Sequence, residues 1–481
     1  MATQEVGVGT AAAPPLPDRK LGIATFVIAL ARFMVVLDGT IMIVAIPSID
    51  RSLHMTASNL AWVINSYSLT FGGLMLVAGR VGDVLGRKNV FRFGLALFGI
   101  ASLLGGLSPN GTALILFRGL EGIGAAIATP GALSLLVTTF PAGEPRTKAL
   151  GLYGAATGMA SVMGLLLGGV LTTYAGWRWV LFVNVPIVIV LILGVGVLAE
   201  GDLDRVKIDI PGAITATLGV GALVFAVNRV GEHGWTDGIV IACLALAVVL
   251  LISFIFIQRA SKSPMIPPGV LNERGRAGAN IVTFVTAAGM FATYYFLTLY
   301  MQQVLGYSAL RTGLMYLPFA VGFGIAAGGV GPQLLNKLSE RVALSIPLVV
   351  AAGGMVWFSF MTVHSSIFAI LIPASLVTGI GLGATAVVST SIGVRGIDNS
   401  EAGIGSSLLT AGGQVGGALG LAVLATIATS VTLQDSSKGK GLNDALTHGY
   451  TVAFLVAAGL YVVSLIIGLI TVRPMAQAQT T

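Results

Sequence analysis

The chain has 481 residues, of which 55% are hydrophobic and only 9% are charged, whereas soluble domains carry about 25% charged residues, so a soluble globular protein is excluded. The formal net charge of +7 would suggest nucleic acid as the partner of a soluble protein, but most basic residues lie in loops on one side of a membrane, and we expect no such partner. The single cysteine, Cys243, excludes disulfides and cysteine-based metal clusters, and no metal site is expected.

Residues 1–20 lack the apolar centre of a signal peptide and are expected to form a disordered cytoplasmic tail. Fourteen apolar segments follow this tail. Each segment can cross a bilayer as a helix, which takes about 20 residues. The predicted spans are 21–46, 58–78, 90–108, 112–139, 149–172, 179–199, 209–229, 237–258, 278–301, 313–332, 344–362, 367–393, 403–431 and 450–472.

The basic residues test this count, because cytoplasmic loops of membrane proteins are enriched in lysine and arginine. Of the 26 basic residues, eighteen fall on the side that holds both termini and six on the other side, while Arg32 and Arg118 lie within spans. One span more or fewer would move every later loop to the other side of the membrane and remove this bias. The sequence therefore predicts a multi-pass protein of the cell membrane, in a bacterium the inner membrane, with both termini in the cytoplasm.

The longest internal cytoplasmic loop is rich in proline, glycine and charge and is predicted to be a linker. It gives the division 1–20 (tail), 21–199 (six-helix bundle), 200–258 (inserted helix pair), 259–277 (linker), 278–472 (second six-helix bundle) and 473–481 (tail). Glycines recur at four-residue spacing in spans five and thirteen, which occupy equivalent places in the two halves. They are Gly164 and Gly168 in the first half and Gly412, Gly416 and Gly420 in the second, and they indicate close helix packing and an internal repeat. Gly169, next to Gly168, is also expected to be a packing glycine.

Few ionisable residues lie deep in the predicted spans. Of 19 acidic residues only Asp38 and Glu121 do, and none of the four histidines does. A rise of about 1.5 Å per residue puts Asp38 at the depth of Arg118 and Glu121, which share one helix face, with Arg32 nearer the midplane. Two interpretations stay open: an ion-paired cluster that only pins helices together, or a proton site, since intramembrane ionisable groups are usually functional.

The segment AGRVGDVLGRKNVF, residues 78–91, joins spans two and three. Gly79 and Gly86 permit a tight turn, and Asp83 can accept hydrogen bonds from a helix N-terminus or an arginine. A positive anchor on the cytoplasmic face would explain Arg87 and Lys88. It would not explain the glycines and the acid at this spacing.

These stretches carry a resemblance. GRVGDVLGRK resembles the loop signature of the major facilitator superfamily, and LILFRGLEGIGAA (114–126) is similar to the span-four signature of its proton-coupled members. LDGTIMIVAIP (37–47) and WRWVLFVNVP (177–186) resemble motifs of its fourteen-helix drug:proton antiporters. The resemblance covers residues 21–472 and implies an all-α membrane protein with the major facilitator fold: two six-helix bundles around a cavity that opens to alternate sides, plus two inserted helices.

The resemblance also implies roles for individual residues. Arg118 would take part in proton coupling, with the proton gradient as energy source and no cofactor, and Asp38 would face the cavity as a proton or substrate site. Asp83 and Arg87 would belong to the cytoplasmic gate, and Trp62 and Tyr67 match aromatic positions of span two. The residues themselves add Glu121 to the proton-coupling candidates and Gly79, Gly86 and Lys88 to the gate. The full set of candidates for the substrate cavity is Arg32, Asp38, Trp62, Asn65, Tyr67, Glu121, Tyr294 and Tyr295.

Three positions depart from the family pattern. Glu121 stands where glutamine is usual, and it either adds a proton site or only neutralises Arg118. Span five has Leu165 for the usual proline and Ala160 for a glycine, which weakens the prediction of antiport but not of the fold. Arg32 matches nothing in the family pattern and is expected to pair with a carboxylate or to bind an acidic substrate.

Enzymatic function finds little support, because the sequence has no phosphate-binding GxxxxGK[ST], no HExxH and no GxSxG motif. The preferred hypothesis is a monomeric, proton-coupled exporter of amphipathic drugs, antibiotics or natural products, in contact with membrane lipid. The alternatives are a carrier for one metabolite or lipid with the same fold, and a membrane sensor or structural protein that transports nothing. Two acids against two arginines within the membrane leave the charge preference for substrate open.

Overall fold

A computed structural model of the chain describes residues 18–140, 144–200, 209–261, 264, 273–395 and 402–472. This part of the chain is helical and contains no strand. The helices of the first half are α1 Asp18–Leu53, α2 Ala57–Leu85, α3 Arg87–Gly106, α4 Gly111–Thr139, α5 Glu144–Tyr174, α6 Trp179–Phe182, α7 Asn184–Gly194, α8 Ile210–His233 and α9 Gly238–Ala260. Those of the second half are α10 Arg274–Leu299, α11 Ala309–Met315, α12 Leu317–Ile325, α13 Gly331–Lys337, α14 Glu340–Phe358, α15 Ile372–Gly393, α16 Ala402–Ser437 and α17 Leu442–Thr471.

Thirteen helical segments of the described residues are long and apolar enough to cross a membrane. The helix α2 is not among them, although it packs along α4 and α16 in the interior of the bundle. The all-helical membrane fold is therefore confirmed. The count of fourteen spans and the cytoplasmic placement of both termini stay predictions.

Several helices run beyond the predicted spans, because hydropathy falls at the first polar residues whereas the helix continues through them. The clearest case is the predicted loop between spans two and three. There α2 continues to Leu85 and α3 begins at Arg87, so the connection is the single residue Gly86 with φ +96°. A left-handed φ favours glycine. Gly79 and the backbone of Asp83 thus lie in a helix rather than in a turn.

The two halves form two bundles, α1–α7 and α10–α17, and the inserted pair lies at the seam between them. One face of α8 packs against α2 of the first bundle and α16 of the second, and α9 packs on α8. Only a small part of α9 is covered by protein. The pair therefore adds a layer outside the bundles and leaves the space between them open.

The two bundles share one hydrophobic core at the end of the molecule where α1 finishes. That core joins Ile46 and Leu60 of the first half to Phe358 and Phe454 of the second. At the opposite end, where α1 begins, the first bundle packs around Phe91 and Phe140, and Ala411 of α16 is the one buried residue of the second bundle in this core among those described. The second bundle has its own core there. We call these the closed end and the open end, and the basic residues predict that the open end faces the cytoplasm.

The predicted packing glycines lie at close helix crossings, with one exception. A Cβ atom at Gly164, Gly168 or Gly169 would lie 2.7–2.9 Å from a carbonyl oxygen of a neighbouring helix. Gly416 and Gly420 lie as closely against Phe284 and Ala288 of α10. Nothing lies within 4 Å of a Cβ at Gly412, so the structure gives this glycine no packing role.

This difference gives a matched pair of substitutions in one helix. Gly416→Ala is expected to lower the free energy of unfolding by about 1–3 kcal/mol, because its Cβ would meet the backbone carbonyl of Phe284. Gly412→Ala is expected to leave stability unchanged or slightly raised, since alanine favours a helix over glycine by up to about 1 kcal/mol. Unfolding of the detergent-solubilised variants measures both, and equal losses would contradict the packing argument.

Candidate functional site

Three helices bring a buried ionic cluster together near the middle of the first bundle. The Arg118 Nη1 atom lies 2.7 Å from Asp38 Oδ2 and 2.5 Å from Glu121 Oε2. The guanidinium also donates from Nε to the Val63 carbonyl at 3.3 Å and lies 4.3 Å from the centroid of the Tyr67 ring. Asp38, Arg118 and Glu121 are at most 1% exposed. One cation thus faces two carboxylates away from water.

A fourth residue, Asn184, completes this cluster. Its Nδ2 atom lies 2.9 Å from Asp38 Oδ1, 3.0 Å from Ser102 Oγ and 3.4 Å from Glu121 Oε1. Ser102 in turn donates to the Leu181 carbonyl at 2.9 Å. The carboxylate oxygens that do not face Arg118 therefore face Asn184, which is itself fully buried.

Sequence reasoning did not single out Asn184 or Ser102. Asn184 lies in the stretch WRWVLFVNVP, which served only as a family motif. Yet it is the only polar side chain between residues 180 and 198. A lone amide in an apolar span requires a partner, because an unpaired polar group is costly in the membrane, and that signal could have found it.

Asn184→Leu is expected to lower the free energy of unfolding by about 2 kcal/mol, because it removes a hydrogen bond to a buried carboxylate. The control is Asn228→Leu, since Asn228 is also buried in a helix but, in the described part of the chain, donates only to the Val224 carbonyl of its own helix, at 3.1 Å. Denaturation in detergent measures both variants. A loss for Asn228→Leu as large as that for Asn184→Leu would contradict a special role for the amide.

A cavity of about 550 Å³ lies beside the ionic cluster, between the two bundles. Its wall is largely apolar, with Phe71, Met163, Phe291 and Phe323 among the lining residues. Hydroxyl and amide groups interrupt this wall at a few points: Thr40, Ser68, Ser161, Thr410 and Gln414. The size and the sparse polar groups are typical of a site for a small organic molecule.

Two arginines line the cavity, Arg32 and Arg118, and no acidic residue of the described part does. Arg118 separates the cavity from the two carboxylates with which it pairs. Arg32 donates from Nε to Thr157 Oγ1 at 2.9 Å and lies 5.4 Å from the centroid of the Tyr153 ring. Among the described residues no carboxylate lies within ion-pair distance of Arg32, so its expected pairing with an acid is not seen.

The other cavity candidates divide between the lining and the interior of the bundles. Tyr67 and Tyr294 line the cavity. Asp38 and Glu121 lie behind Arg118. The ring of Tyr295 packs against Phe296, with centroids 5.4 Å apart. The ring of Trp62 packs against Phe225 of α8, with centroids 6.3 Å apart. Asn65 is fully buried and does not belong to the lining.

The predicted gate residues lie at the open end, around the turn from α2 to α3. Gly79 faces Pro130 of α4, with 3.5 Å between a Cβ and the ring. The backbone of Lys88 donates to Glu200 Oε1 at 3.2 Å, and Arg87 begins α3. The side chain of Asp83 lies outside the described residues. These contacts join the turn to the connection that follows α7.

The two substitutions in span five lie at the crossing of α1 and α5. Thr40 Oγ1 donates to the Ala160 carbonyl at 3.4 Å. Leu165 lines the cavity, and α5 runs unbroken through it from Glu144 to Tyr174.

The family model of the Major Facilitator Superfamily matches residues 28–421. The chain is similar to the puromycin resistance protein pur8 of Streptomyces alboniger, with 36% identity over 96% of this chain and 93% of that protein. It is 39% identical to the cephamycin export protein CmcT of Amycolatopsis lactamdurans over 84% of each chain. A crystal structure of the POT family transporter PepTSo shares the fold, with a TM-score of 0.67 and 15% identity over 94% of this chain and 98% of that one.

Proposed function

The chain belongs to the major facilitator superfamily, and on this premise we propose that it is a proton-coupled exporter of amphipathic drugs, antibiotics or natural products. Family and relatives are transporters rather than enzymes, and the protein is a multi-pass protein of the cell membrane. The resistance and export functions in the names of the relatives support an outward direction for this chain.

The observation that carries the proton coupling is the buried cluster beside the cavity. With both carboxylates ionised, Asp38, Arg118 and Glu121 carry a net charge of −1, and one proton on either acid makes the cluster neutral. Net charge is expensive in a membrane interior. The cluster is therefore expected to exchange one proton when water reaches it, and Arg118 is the member through which it meets the cavity.

Alternating exposure of the cavity would couple this proton to the substrate. At the open end a compound enters from the cytoplasm while the cluster releases its proton. When the closed end opens, the compound leaves and a proton from outside returns to the cluster. The compound and the proton use the same site in turn, so the inward proton gradient drives export of the compound.

Proton movement driven by substrate tests this function directly. The purified protein is reconstituted into liposomes that contain a pH-sensitive dye, and amphipathic cations, zwitterions, acids and neutral compounds are added in turn. Compounds of several unrelated structures are expected to evoke proton flux above that of empty liposomes. Empty liposomes correct for weak acids and bases that carry protons across lipid on their own.

The outcomes separate the competing functions. Flux with several unrelated compounds supports a multidrug antiporter, and flux with one compound class supports a narrow carrier. Uptake of substrate without proton movement would identify a facilitator. Folded protein that moves neither protons nor any compound of the panel would contradict the proposal.

A further inference from the structure

We propose that Arg32 is the anion-binding residue of the cavity and that it selects amphipathic substrates with one carboxylate or similar anionic group. This inference rests on the proposed transport function and names the substrate class of the same site. It answers the question of charge preference, which a count of the four charges within the membrane leaves open.

Of the two arginines in the cavity, Arg32 has the guanidinium with fewer hydrogen-bond partners. Arg118 faces two carboxylates and a backbone carbonyl, so its hydrogen bonds and charge are occupied. Arg32 has one hydrogen bond, from Nε to a neutral hydroxyl. Its Nη1 and Nη2 atoms have no partner among the described residues, and two parallel donors of this kind fit a carboxylate.

The charge at the described cavity wall is positive. The two acids of the membrane interior are turned away from the cavity and face Arg118 and Asn184. Asp38 is six residues from Arg32 along α1, about 9 Å by helical rise. A cation in the cavity would meet Arg32 and Arg118 without a carboxylate in the described wall, whereas an anion would meet the guanidinium of Arg32, a half-buried residue with no carboxylate partner among the described residues.

Arg32 lies at one end of the cavity. The lining residues of α1 extend from Arg32 to Ile43, about 16 Å by helical rise. Arg32 stands at the end nearer the open side, and the wall toward the closed end carries Ile43, Ile64 and Leu165. An elongated molecule with an apolar body and one anionic end fits this arrangement with its charged group toward the opening.

Two fluorescent probes that differ only in charge test the inference. Pyrenebutanoate carries a carboxylate, and pyrenebutanamide has a neutral amide in its place. Their dissociation constants are measured with the full-length protein in nanodiscs of uncharged lipid, and empty nanodiscs are subtracted. The wild type is expected to bind the acid about 10- to 100-fold more tightly than the amide, which is the range for a hydrogen-bonded charged pair.

Three variants assign this ratio to Arg32. Arg32→Gln is expected to bring the ratio close to one, and Arg32→Lys to leave an intermediate ratio, because lysine keeps the charge but loses the planar fork. Arg92→Gln removes an equal charge from an exposed site on α3 and should leave the ratio unchanged. If Arg32→Gln does not fold, the binding ratios of the wild type and of Arg32→Lys still test the inference.

A wild-type ratio near one, a preference for the amide, or an unchanged ratio in Arg32→Gln would overturn the inference. Equal weakening of both probes by Arg32→Gln would assign Arg32 a structural role through Thr157 and would overturn it too. The binding assay needs no proton gradient. A protein that prefers the acid over the amide but drives no proton flux would support the anion site and contradict the exporter function. Proton flux driven by cations, together with a binding ratio near one, would support the exporter function and contradict the anion site.

Discussion

Asp38→Asn is expected to abolish proton-driven export, with initial rates at least tenfold below wild type, while the protein stays folded. Asparagine has the shape of aspartate and keeps a carbonyl oxygen toward Arg118, and the guanidinium retains Glu121 as its counter-ion. The cluster then has no net charge without a bound proton, so the force that draws a proton into it is lost. Proteoliposomes with an internal pH dye measure the loss.

Exchange of labelled for unlabelled substrate is expected to survive in Asp38→Asn, because exchange needs the cavity and its movement but no proton. The matched control is Asp50→Asn, which removes the same charge from the far end of α1, outside the cluster. Full proton-driven export by Asp38→Asn would show that this carboxylate carries no coupling. Loss of exchange together with loss of folding would instead favour a purely structural ion cluster.

Arg118→Met is expected to lower the free energy of unfolding by about 3–5 kcal/mol, which is the usual effect of removing one partner from a buried ion pair. It leaves Asp38 and Glu121 buried without a cation. It also empties the place beside the Tyr67 ring. Thermal unfolding in detergent, followed by intrinsic fluorescence, measures the change, and export should be lost together with stability.

A triple variant separates stability from transport. Asp38→Asn, Glu121→Gln and Arg118→Met together remove every charge of the cluster, and replacement of a whole buried ion network by neutral residues is often tolerated. We expect the triple variant to recover most of the stability that Arg118→Met loses and none of the proton coupling. An Arg118→Met protein as stable as wild type would contradict the account of the cluster as a buried, charge-paired unit.

The ionic cluster was predictable because its distances follow from helix geometry. A spacing of three residues places Arg118 and Glu121 on one face, and the rise per residue gives the depth of Asp38. The structure brings all three together at bonding distance. Asn184 could not be placed in the same way, since the short helix α6 and the start of α7 set its approach, and neither follows from hydropathy.

Which residues face the cavity was harder to predict, because depth does not fix the direction of a side chain. Neighbouring residues of a helix point about 100° apart, since a turn has 3.6 residues. Tyr294 and Tyr295 therefore point in different directions, and of the two only Tyr294 lines the cavity, whereas the neighbours Tyr67 and Ser68 both do. Trp62 faces α8, and an inserted helix of unknown position cannot be foreseen from the sequence of α2 alone.

Because the two bundles share a core at the closed end, opening this end costs more free energy than opening the other end. Opening the closed end must part the apolar surfaces around Ile46 and Phe454 and break the bonds from Gln302 Nε2 to the Val44 carbonyl and from the Leu310 amide to Thr173 Oγ1. Among the described residues at the other end, each bundle has its own core, and Ala411 of α16 is the one buried residue of the second bundle that packs into the core of the first. An unloaded molecule is thus expected to rest with its cleft toward the cell interior, so that compounds outside meet a sealed surface and re-entry through the idle protein is suppressed.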